Sequence, residues 1–220
     1  MNVRLVGYTQ PAEEFRGDFS DISELITFCA RVSNPSNQMN TETASKLIKY
    51  LLKHKHFSPF EMASITIEVE TTRDIARQLL RHRSFSFQEF SQRYADPTQM
   101  SFVIREARMQ DTTNRQKSIP LSMEDNHHRQ LAKEWEYKQQ ALIEHAKDVY
   151  KWALGRGIAK EQARVVLPEG CTPSKLYVCG SIRSFIHYIE VRTDESTQEE
   201  HRQLALAIAE VVSRVFRYDE

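Results

Sequence analysis

The sequence predicts a single α+β domain in which helices dominate and pack on a small mixed or antiparallel sheet. Long segments place apolar side chains at the three- and four-residue spacing of amphipathic helices, whereas few segments alternate as strands do. There is no internal repeat, low-complexity segment or obvious linker. Because 220 residues that are 40% hydrophobic suit one buried core, we expect residues 1–220 to form one domain.

Two strands and three helices are predicted in the first part of the chain. A first strand is expected at residues 3–8 and a second at residues 63–69, where apolar and polar side chains alternate. Two helices with amphipathic spacing lie between these strands, and a third follows the second strand. The side chains placed to cap these helices are Asp21 or Ser23, Thr41 or Thr43, and Thr72, in that order.

The rest of the chain begins with a predicted strand at residues 101–104 and a polar loop at residues 106–119. A long helix is then expected from about residue 123 to residue 154, closed by Gly155 and Gly157. The side chains predicted to mark its buried side are Leu131, Trp135, Leu142, Ala146 and Val149. The elements predicted after it are a short helix holding residues 161–165, a strand at 175–178, a helix at 182–189 and a final helix near 197–216.

The balance of charge narrows the class of ligand. The formal net charge is +0, so the chain lacks the general electrostatic footprint of a protein that binds DNA or RNA. Of the 30 basic residues 19 are Arg, and guanidinium groups bind anions through paired donors that Lys does not have. We therefore expect small phosphorylated metabolites as ligands, and no nucleic acid.

The cysteines and the hydropathy indicate a cytoplasmic protein. Cys29, Cys171 and Cys179 form no Cys-x-x-Cys pair, and an odd, sparse set is typical of a reducing compartment. The amino-terminal residues show no secretory signal, and no apolar run approaches the roughly 18 residues that span a bilayer. His54 and His56 have a spacing that can ligate zinc, but no third ligand falls at a familiar offset, so we expect no metal.

Residues 81–83, Arg-His-Arg, open the segment with the clearest chemical signal. Glu89, Ser91 and Arg93 follow, and such a cluster suits the phosphate of a nucleotide or dinucleotide. A structural alternative exists, because cations at the carboxyl end of the third helix also offset its dipole. A functional alternative is a non-catalytic nucleotide- or RNA-binding protein that uses the arginine cluster.

The stretch from Arg81 to Tyr94 resembles the signature of the flavin-dependent thymidylate synthases. That signature runs Arg-His-Arg, two variable residues, Ser, any residue, Asn-Glu, any residue, Ser, any residue, Arg-Tyr, and Gln88 here takes the place of Asn. The resemblance spans roughly residues 3–215. Further similar blocks, in the family's order, are residues 56–61, 163–168, 183–185 and 192–200.

The resemblance implies the fold of that family and a reductive methylation. In this reaction dUMP becomes dTMP, methylenetetrahydrofolate supplies the carbon, and NADPH supplies electrons through bound FAD. Family members resemble one another in forming homotetramers whose active sites are shared between subunits. The chain lacks the Pro-Cys-His context of the other class of thymidylate synthase, so we expect no enzyme cysteine as nucleophile.

The resemblance also implies roles by position. Arg192 would lie against the uracil ring and favour its ionised form, and His56 would lie near the flavin and the folate; these are the two expected catalytic residues. Ser181 and His187 stand where Asn is common in the family. The residues expected to bind dUMP are Gln78, Leu79, Leu80, Arg81, Glu89, Phe90, Ser91, Gln92, Arg93, Arg164 and Arg192, with Arg164 contributed by a neighbouring subunit. The residues expected to bind FAD are Ser58, Arg81, His82, Arg83, Glu89, Ser181, Ile182, Arg183 and His187.

Overall fold

Seven α-helices and six strands make up the regular structure of residues 1–216, the part of the chain that this computed structural model describes. The expected domain reaches residue 220, and residues 217–220 lie outside the described residues. In chain order the elements are β1 (Asn2–Tyr8), α1 (Ile22–Ala30), α2 (Ala44–Lys53), β2 (Ser64–Thr72), α3 (Arg73–Leu79), β3 (Ser86–Glu89), β4 (Arg108–Gln110), β5 (Ser118–Pro120), α4 (Asn126–Gly155), α5 (Lys160–Ala163), β6 (Pro173–Ser181), α6 (Ile182–Arg192) and α7 (Glu199–Ser213).

Four of the strands form one antiparallel sheet in the spatial order β1-β2-β6-β3, and β4 and β5 form a separate hairpin. β2 and β6 pair along their whole length, from Ser64 opposite Ser181 to Thr72 opposite Pro173. β3 pairs with the other edge of β6. The fold class is therefore α+β with a small antiparallel sheet, which confirms the prediction.

The hydrophobic core lies where α3, α6 and α7 pack against this sheet. The alternation in β2 produces one side of it, because Ile65, Ile67 and Val69 are fully buried. Phe185 of α6 and Leu204 of α7 belong to the same cluster and are equally buried. Burial of each such side chain stabilises the fold by roughly 1.5–3 kcal/mol. The core therefore holds the ends of these three helices in place relative to one another.

The first helices begin where the sequence predicts, but not every predicted capping side chain makes a capping hydrogen bond. Asp21 caps α1, and its Oδ1 accepts from the N–H of Ser23 at 2.8 Å, so Asp21 and not Ser23 is the cap. Thr72 occupies the N-cap position of α3, but its hydroxyl donates to Asp74 at 2.6 Å and makes no capping bond. Thr43 precedes α2, also without a side-chain cap.

The predicted strand at residues 101–104 is wrong. This segment has no regular structure, because its backbone bonds to a loop, and the residue that follows it bonds to a side chain, instead of to a neighbouring strand. The N–H of Val103 donates to the carbonyl of Cys171 at 2.9 Å. The N–H of Arg105 donates to Oε1 of Gln139 on α4, also at 2.9 Å.

Two short strands lie largely within residues 106–119, which the sequence predicts as a polar loop, and the second of them ends at Pro120. They are β4 and β5, and Asp111 Oδ1 stabilises the connection by accepting from the N–H groups of Thr113 and Asn114. β3 is also missing from the sequence prediction. Its four residues are too short to show a clear alternation, and their pairing with β6 depends on a strand that lies far along the chain.

α4 is confirmed as a long helix, but its buried face is only partly the predicted one. Ala146 is buried, whereas the side chains of Trp135 and Leu142 are 45% and 53% exposed. The buried positions instead fall from Gln139 to Ala153, because only the second half of this 30-residue helix packs on the chain. Across residues 1–216, no helix combines the length and the apolar character that a bilayer crossing requires.

The elements after α4 confirm the sequence predictions with shifted ends. Gly155 ends α4, and Gly157 closes the turn with a positive φ of 79°. The predicted short helix is α5 followed by a 3₁₀ turn at Arg164–Val166, and the predicted strand at 175–178 lies within β6. α6 and α7 occupy the last two predicted helical segments.

Candidate functional site

The Arg-His-Arg triplet lies directly after the carboxyl end of α3, as the sequence predicts. α3 ends at Leu79, and the N–H of His82 donates to the carbonyl of Leu79 at 3.0 Å. The next turn leads into β3, because the N–H of Phe85 donates to the carbonyl of His82 at 3.2 Å. The side chains of Arg81 and Arg83 are exposed, so both guanidinium groups can reach a ligand.

Arg192 and His82 form the polar centre of this corner. Arg192, the last residue of α6, donates from Nε to Nε2 of His82 at 2.9 Å. Because Nε2 accepts, a neutral His82 carries its proton on Nδ1. Burial lowers the pKa of His82 to about 4, and the positive charges of Arg192 and Arg81 act in the same direction. The ring of Tyr188 contacts His82 edge-on at 4.9 Å and holds it in place.

A cleft of about 420 Å³ lies at Gln92, near the carboxyl end of residues 81–94. Arg73, Arg77 and Arg164 line it together with Gln92, whose Nε2 is buried without a hydrogen-bond partner among residues 1–216. Such a concentration of guanidinium groups suits a phosphate or another small anion. The remaining lining residues are Glu161, Val165, Leu167 and Glu169.

Carboxylates hold these arginines in place around the cleft. Arg73 lies 3.5 Å from Glu89, which also accepts a hydrogen bond from the hydroxyl of Ser174 at 2.8 Å. Arg77 is paired with Glu169. The carboxylate of Glu161 lies 3.5 Å from Arg93. The backbone carbonyl of the same residue accepts a hydrogen bond from Nε of Arg164 at 3.4 Å. These carboxylates therefore orient the guanidinium groups, and an anionic ligand can bind the same guanidinium groups beside the carboxylates or in their place.

A second cavity, of about 410 Å³, lies near the amino end of α6. Arg183 donates to Glu61 across it at 2.9 Å, and His187 lies on its wall. The Ser181 hydroxyl holds the pKa of Glu61 below its usual range, and Arg183 adds to this effect. Ser181 also caps α6, since its Oγ accepts from the N–H of Ser184 at 3.3 Å.

Of the residues expected to bind FAD, Arg183 and His187 line this second cavity, beside the carboxylates of Glu61 and Glu190. The exposed Arg83 and Ser58 do not line it but directly adjoin the lining residues Ser84 and Phe57 in sequence. Guanidinium donors such as those of Arg183 and Arg83 suit the diphosphate of the flavin that the resemblance implies. Ile182 contributes no polar side-chain contact there, because it is fully buried in the core.

Several expected site residues lie apart from both cavities. His56 is exposed, and its ring lies 6.1 Å from those of Tyr50 and His54. The side chain of Leu79 is fully buried in the core, so only its backbone can face a ligand. Leu80, Phe90 and Ser91 are partly buried, and none of the three lines either cavity. Within residues 1–216, no three His, Cys, Asp or Glu side chains are placed to hold a metal ion.

The largest cavity described, about 650 Å³, contains none of the expected site residues. It follows residues 100–108 and includes the carboxylates of Glu70, Glu106 and Glu200. Its wall also contains Arg105 and Arg108, but both are paired with Glu200, so the three carboxylates make it a poorer match for a phosphate than the arginine-lined cleft.

Sequence reasoning missed a group of residues on α7. His201 is fully buried, and its Nδ1 lies 3.1 Å from Oε1 of Gln78. A signal was present, because His201 precedes Leu204, Ala205 and Ile208 on the apolar face of α7. A histidine on such a face requires a partner or must remain neutral.

Comparison with known proteins agrees with this geometry. Residues 18–216 match the family model described as "Thymidylate synthase complementing protein". A probable flavin-dependent thymidylate synthase of Paramecium bursaria Chlorella virus 1 is 46% identical over 216 residues, which are 98% of this chain and 95% of that protein. The flavin-dependent thymidylate synthase of Synechocystis sp. is 43% identical, over 98% of this chain and 96% of its own.

A solved structure shares the fold. The crystal structure of the UMP/dUMP methylase PolB from Streptomyces cacaoi, bound with 5-Br dUMP, superimposes with a TM-score of 0.78 at 26% sequence identity. The match covers 97% of this chain and 90% of that one. With a family model that matches nearly the whole chain and relatives above 40% identity, the chain belongs to the flavin-dependent thymidylate synthase family.

Proposed function

We propose that the protein converts dUMP to dTMP by reductive methylation, with methylenetetrahydrofolate as carbon donor and NADPH as the source of electrons through FAD. One observation carries the proposal. Residues 81–94 contact Arg192 at one end, through His82, and Glu161 beside Arg164 at the other end, through Arg93. Residues 81–94 therefore connect two groups of cations from distant parts of the chain, one at each end of the segment, which suits a nucleotide with a base at one end and a phosphate at the other.

The arginine-lined cleft is proposed to bind the phosphate of dUMP. Arg164 contributes charge in its wall, and Arg93 lies close by, 3.5 Å from Glu161 of the same wall. The unpaired Nε2 of Gln92 contributes a buried donor that a ligand oxygen can satisfy. Glu89 orients Arg73 from the opposite side. Binding of this non-reacting group would anchor the nucleotide so that its base lies toward Arg192.

Arg192 is proposed to lie against the uracil ring. Its Nε is occupied by His82, so the terminal nitrogens of the guanidinium are oriented and remain for the base. A fixed positive charge beside the ring favours its ionised form and makes C5 a better carbon nucleophile. His82 must stay neutral for this, because only its unprotonated Nε2 can accept from Arg192.

The thiols support a mechanism without a cysteine nucleophile. Burial raises the pKa of both Cys29 and Cys171, which keeps these thiols protonated and weakly nucleophilic. When bound, FAD would supply the hydride that reduces the transferred carbon. The residues proposed to hold it are Ser58, Arg81, His82, Arg83, Glu89, Ser181, Ile182, Arg183 and His187, with His56 near the flavin and the folate.

A homotetramer with shared active sites is proposed from the exposed apolar surface. Trp135, Leu142 and Trp152 are 45–58% exposed on α4. Tyr94 and Val165 are 81% and 83% exposed beside the arginine-lined cleft. A monomer rarely leaves so many large apolar side chains in water, and subunit contacts would cover them. A cytoplasmic location is proposed because Cys29, Cys171 and Cys179 are all free thiols.

The proposal is tested by complementation of a thymidine-requiring bacterial strain and by assay of the purified protein. We expect growth without thymidine, a yellow protein, and dTMP formation that requires NADPH and methylenetetrahydrofolate. The non-catalytic alternative predicts nucleotide or RNA binding without dTMP. A colourless protein that cannot be loaded with FAD and forms no dTMP would refute the proposal.

A further inference from the structure

A chain of side-chain hydrogen bonds connects α7 to Gln78 at the candidate substrate site. His201 is fully buried, and its Nδ1 lies 3.1 Å from Oε1 of Gln78. Nε2 of Gln78 donates to Oε1 of Gln198 at 2.7 Å, and Nε2 of Gln198 donates to Oε2 of Glu200 at 2.9 Å. We call these four residues the α7 relay.

Glu200 gives the α7 relay its direction. Its carboxylate lies 3.2 Å from Nη1 of Arg105 and is also paired with Arg108. Burial alone would raise the pKa of Glu200, but the hydrogen bond from Gln198 and the charges of Arg105 and Arg108 outweigh it and hold the pKa below its usual range. Glu200 is therefore ionised at neutral pH and can only accept hydrogen bonds.

Because Glu200 can only accept, the direction of every other hydrogen bond in the relay is determined. Gln198 must donate to Glu200 through its amide nitrogen, and its oxygen then faces Gln78. Gln78 must in turn donate through Nε2, so its Oε1 faces His201. The bond to Oε1 requires a proton on Nδ1 of His201. A carboxylate at one end thus sets the tautomer of a buried histidine at the other end.

The consequence for Gln78 is a fixed pattern of donors and acceptors. An amide has two N–H donors and two acceptor lone pairs, and the α7 relay uses one of each. One N–H and one lone pair of Gln78 therefore remain for a ligand, and they cannot exchange places. This pattern complements the imide edge of uracil, which offers a carbonyl acceptor and the N3–H donor. Cytosine presents an acceptor at N3 and a donor amine, the reverse arrangement.

The position of His201 connects the relay to the proposed base site. Its ring lies 6.4 Å from that of His82, the hydrogen-bond partner of Arg192, and 5.8 Å from that of Tyr188. Gln78 follows Arg77, a lining residue of the arginine-lined cleft, directly in sequence. Gln78 is thus connected through His201 to the neighbourhood of His82 and Arg192, the groups proposed to act on the base.

We propose that His201 is a positioning residue, which holds the amide of Gln78 in one orientation and thereby makes the site prefer uracil over cytosine nucleotides. This inference rests on the proposed function, since it takes dUMP as the substrate. Loss of the His201 donor leaves Oε1 of Gln78 without its buried partner, so the amide keeps its bond to Gln198 but can rotate about that bond away from the position that suits uracil. Both the affinity for dUMP and the discrimination against dCMP then decrease.

The test uses the FAD-loaded protein and three variants. His201→Leu removes the donor at similar volume, and His201→Asn keeps an N–H at the position of Nδ1. Leu204→Met, on the same helix and equally buried, controls for disturbance of the core. Affinities for dUMP and dCMP are measured by titration and competition, together with KM and kcat for dUMP.

For His201→Leu we expect roughly a 5- to 100-fold loss of dUMP affinity, the range for an unmade buried hydrogen bond. The ratio of dCMP to dUMP dissociation constants should fall by a similar factor, and KM should rise more than kcat falls. His201→Asn should restore the ratio, and Leu204→Met should leave it unchanged. A folded His201→Leu protein with the wild-type ratio would overturn the inference, as would equal impairment in both His201 variants.

A second variant keeps the inference testable if His201→Leu does not fold. Glu200→Gln removes the obligatory acceptor, so the relay can reverse and the preference for dUMP should decrease. An unchanged preference in this variant would also overturn the inference. Failure of the wild-type protein to bind dUMP is a different result, because it would refute the proposed function itself.

Discussion

The ring of Phe85 occupies the space beside Gly180 of β6, where a Cβ atom would lie 2.3 Å from Cδ1 of that ring. Phe85 also packs on Phe185, with ring centroids 4.8 Å apart, and on Tyr188 at 5.9 Å. The close approach therefore connects the strand β6 to the turn that follows the Arg-His-Arg triplet. The packing of Phe85 therefore fixes the position of that turn relative to β6.

Gly180→Ala should destabilise the protein because Phe85 must leave its position. Overpacking of this kind costs roughly 1–3 kcal/mol in the free energy of unfolding. Urea denaturation of the purified protein measures the change. Gly7→Ala is the matched control in β1, since no atom lies within 4 Å of its added Cβ and it should cost little. Equal losses in the two variants would contradict the packing argument.

Stability should decrease as the pH falls from about 6.5 to about 4. Burial lowers the pKa of both His82 and His201 from 6.5 to about 4, and nearby Arg192 adds to the shift. In this window the unfolded chain binds protons that the folded protein does not, so acid favours unfolding. The stabilisation is fully present above about pH 6.5 and is lost as the pH falls toward 4.

The fully buried His201 allows this pH effect to be measured separately. Its shift corresponds to on the order of 3 kcal/mol of stability lost across the window. His201→Leu should therefore have a shallower dependence of unfolding free energy on pH than the wild type. His145→Leu, at an exposed histidine of α4, is the control and should keep the wild-type slope. A wild-type slope in His201→Leu would show that His201 is protonated in the fold.

Arg192→Ala should abolish turnover while largely sparing FAD binding. The variant removes the charge proposed to act on the ring, and loss of one such electrostatic contact costs roughly 100-fold or more in rate. Formation of dTMP under saturating substrates measures the change, and the flavin absorbance of the purified protein is the control. Undiminished dTMP formation would exclude the role proposed for Arg192.

Arg164→Ala should weaken the binding of dUMP by roughly 10- to 100-fold, the effect of a lost hydrogen bond to a charged group. The proposed contact is with the phosphate, so competition by deoxyuridine, which lacks that group, should be unaffected. Titration with both ligands on the same variant separates the two cases. An equal loss for deoxyuridine would place Arg164 elsewhere in the site.

Trp135→Glu should dissociate the proposed homotetramer. The side chain is 45% exposed in the single chain, and a charge there would be costly inside a subunit interface. Size-exclusion chromatography with light scattering measures the assembly. Lys138→Glu, which introduces the same carboxylate on the same helix at an exposed polar position, should leave it intact. A tetramer that survives Trp135→Glu unchanged would exclude α4 from the interface at this point.

Local sequence was sufficient for most elements and for the clearest part of the site. The alternation at Ile65, Ile67 and Val69 predicts β2, and the capping chemistry of Asp21 predicts the start of α1. The Arg-His-Arg triplet was correctly expected just past a helix end. These features depend on residues a few positions apart, and such short-range interactions follow from residue identity and spacing.

Packing determined the features that join distant segments. His82 and Arg192 are separated by 110 positions, and nothing local indicates that one accepts from the other. The wrong strand at residues 101–104 has the same origin, because Val103 bonds to the loop at Cys171 and the following Arg105 bonds to Gln139 of α4. Whether an extended segment becomes a strand depends on which neighbour the fold places beside it.

The chain's own residues thus predict an anion site of this family's type, built from arginines, a histidine and hydroxyls. Which of their nitrogens remain available to a ligand is a property of the folded molecule. His201 illustrates the difference. A histidine can adopt either tautomer, and here the choice is made by a series of hydrogen bonds that begins at Glu200 and continues through Gln198 and Gln78. Hydrogen-bond direction is decided by the partners, and these come together only after the core has formed.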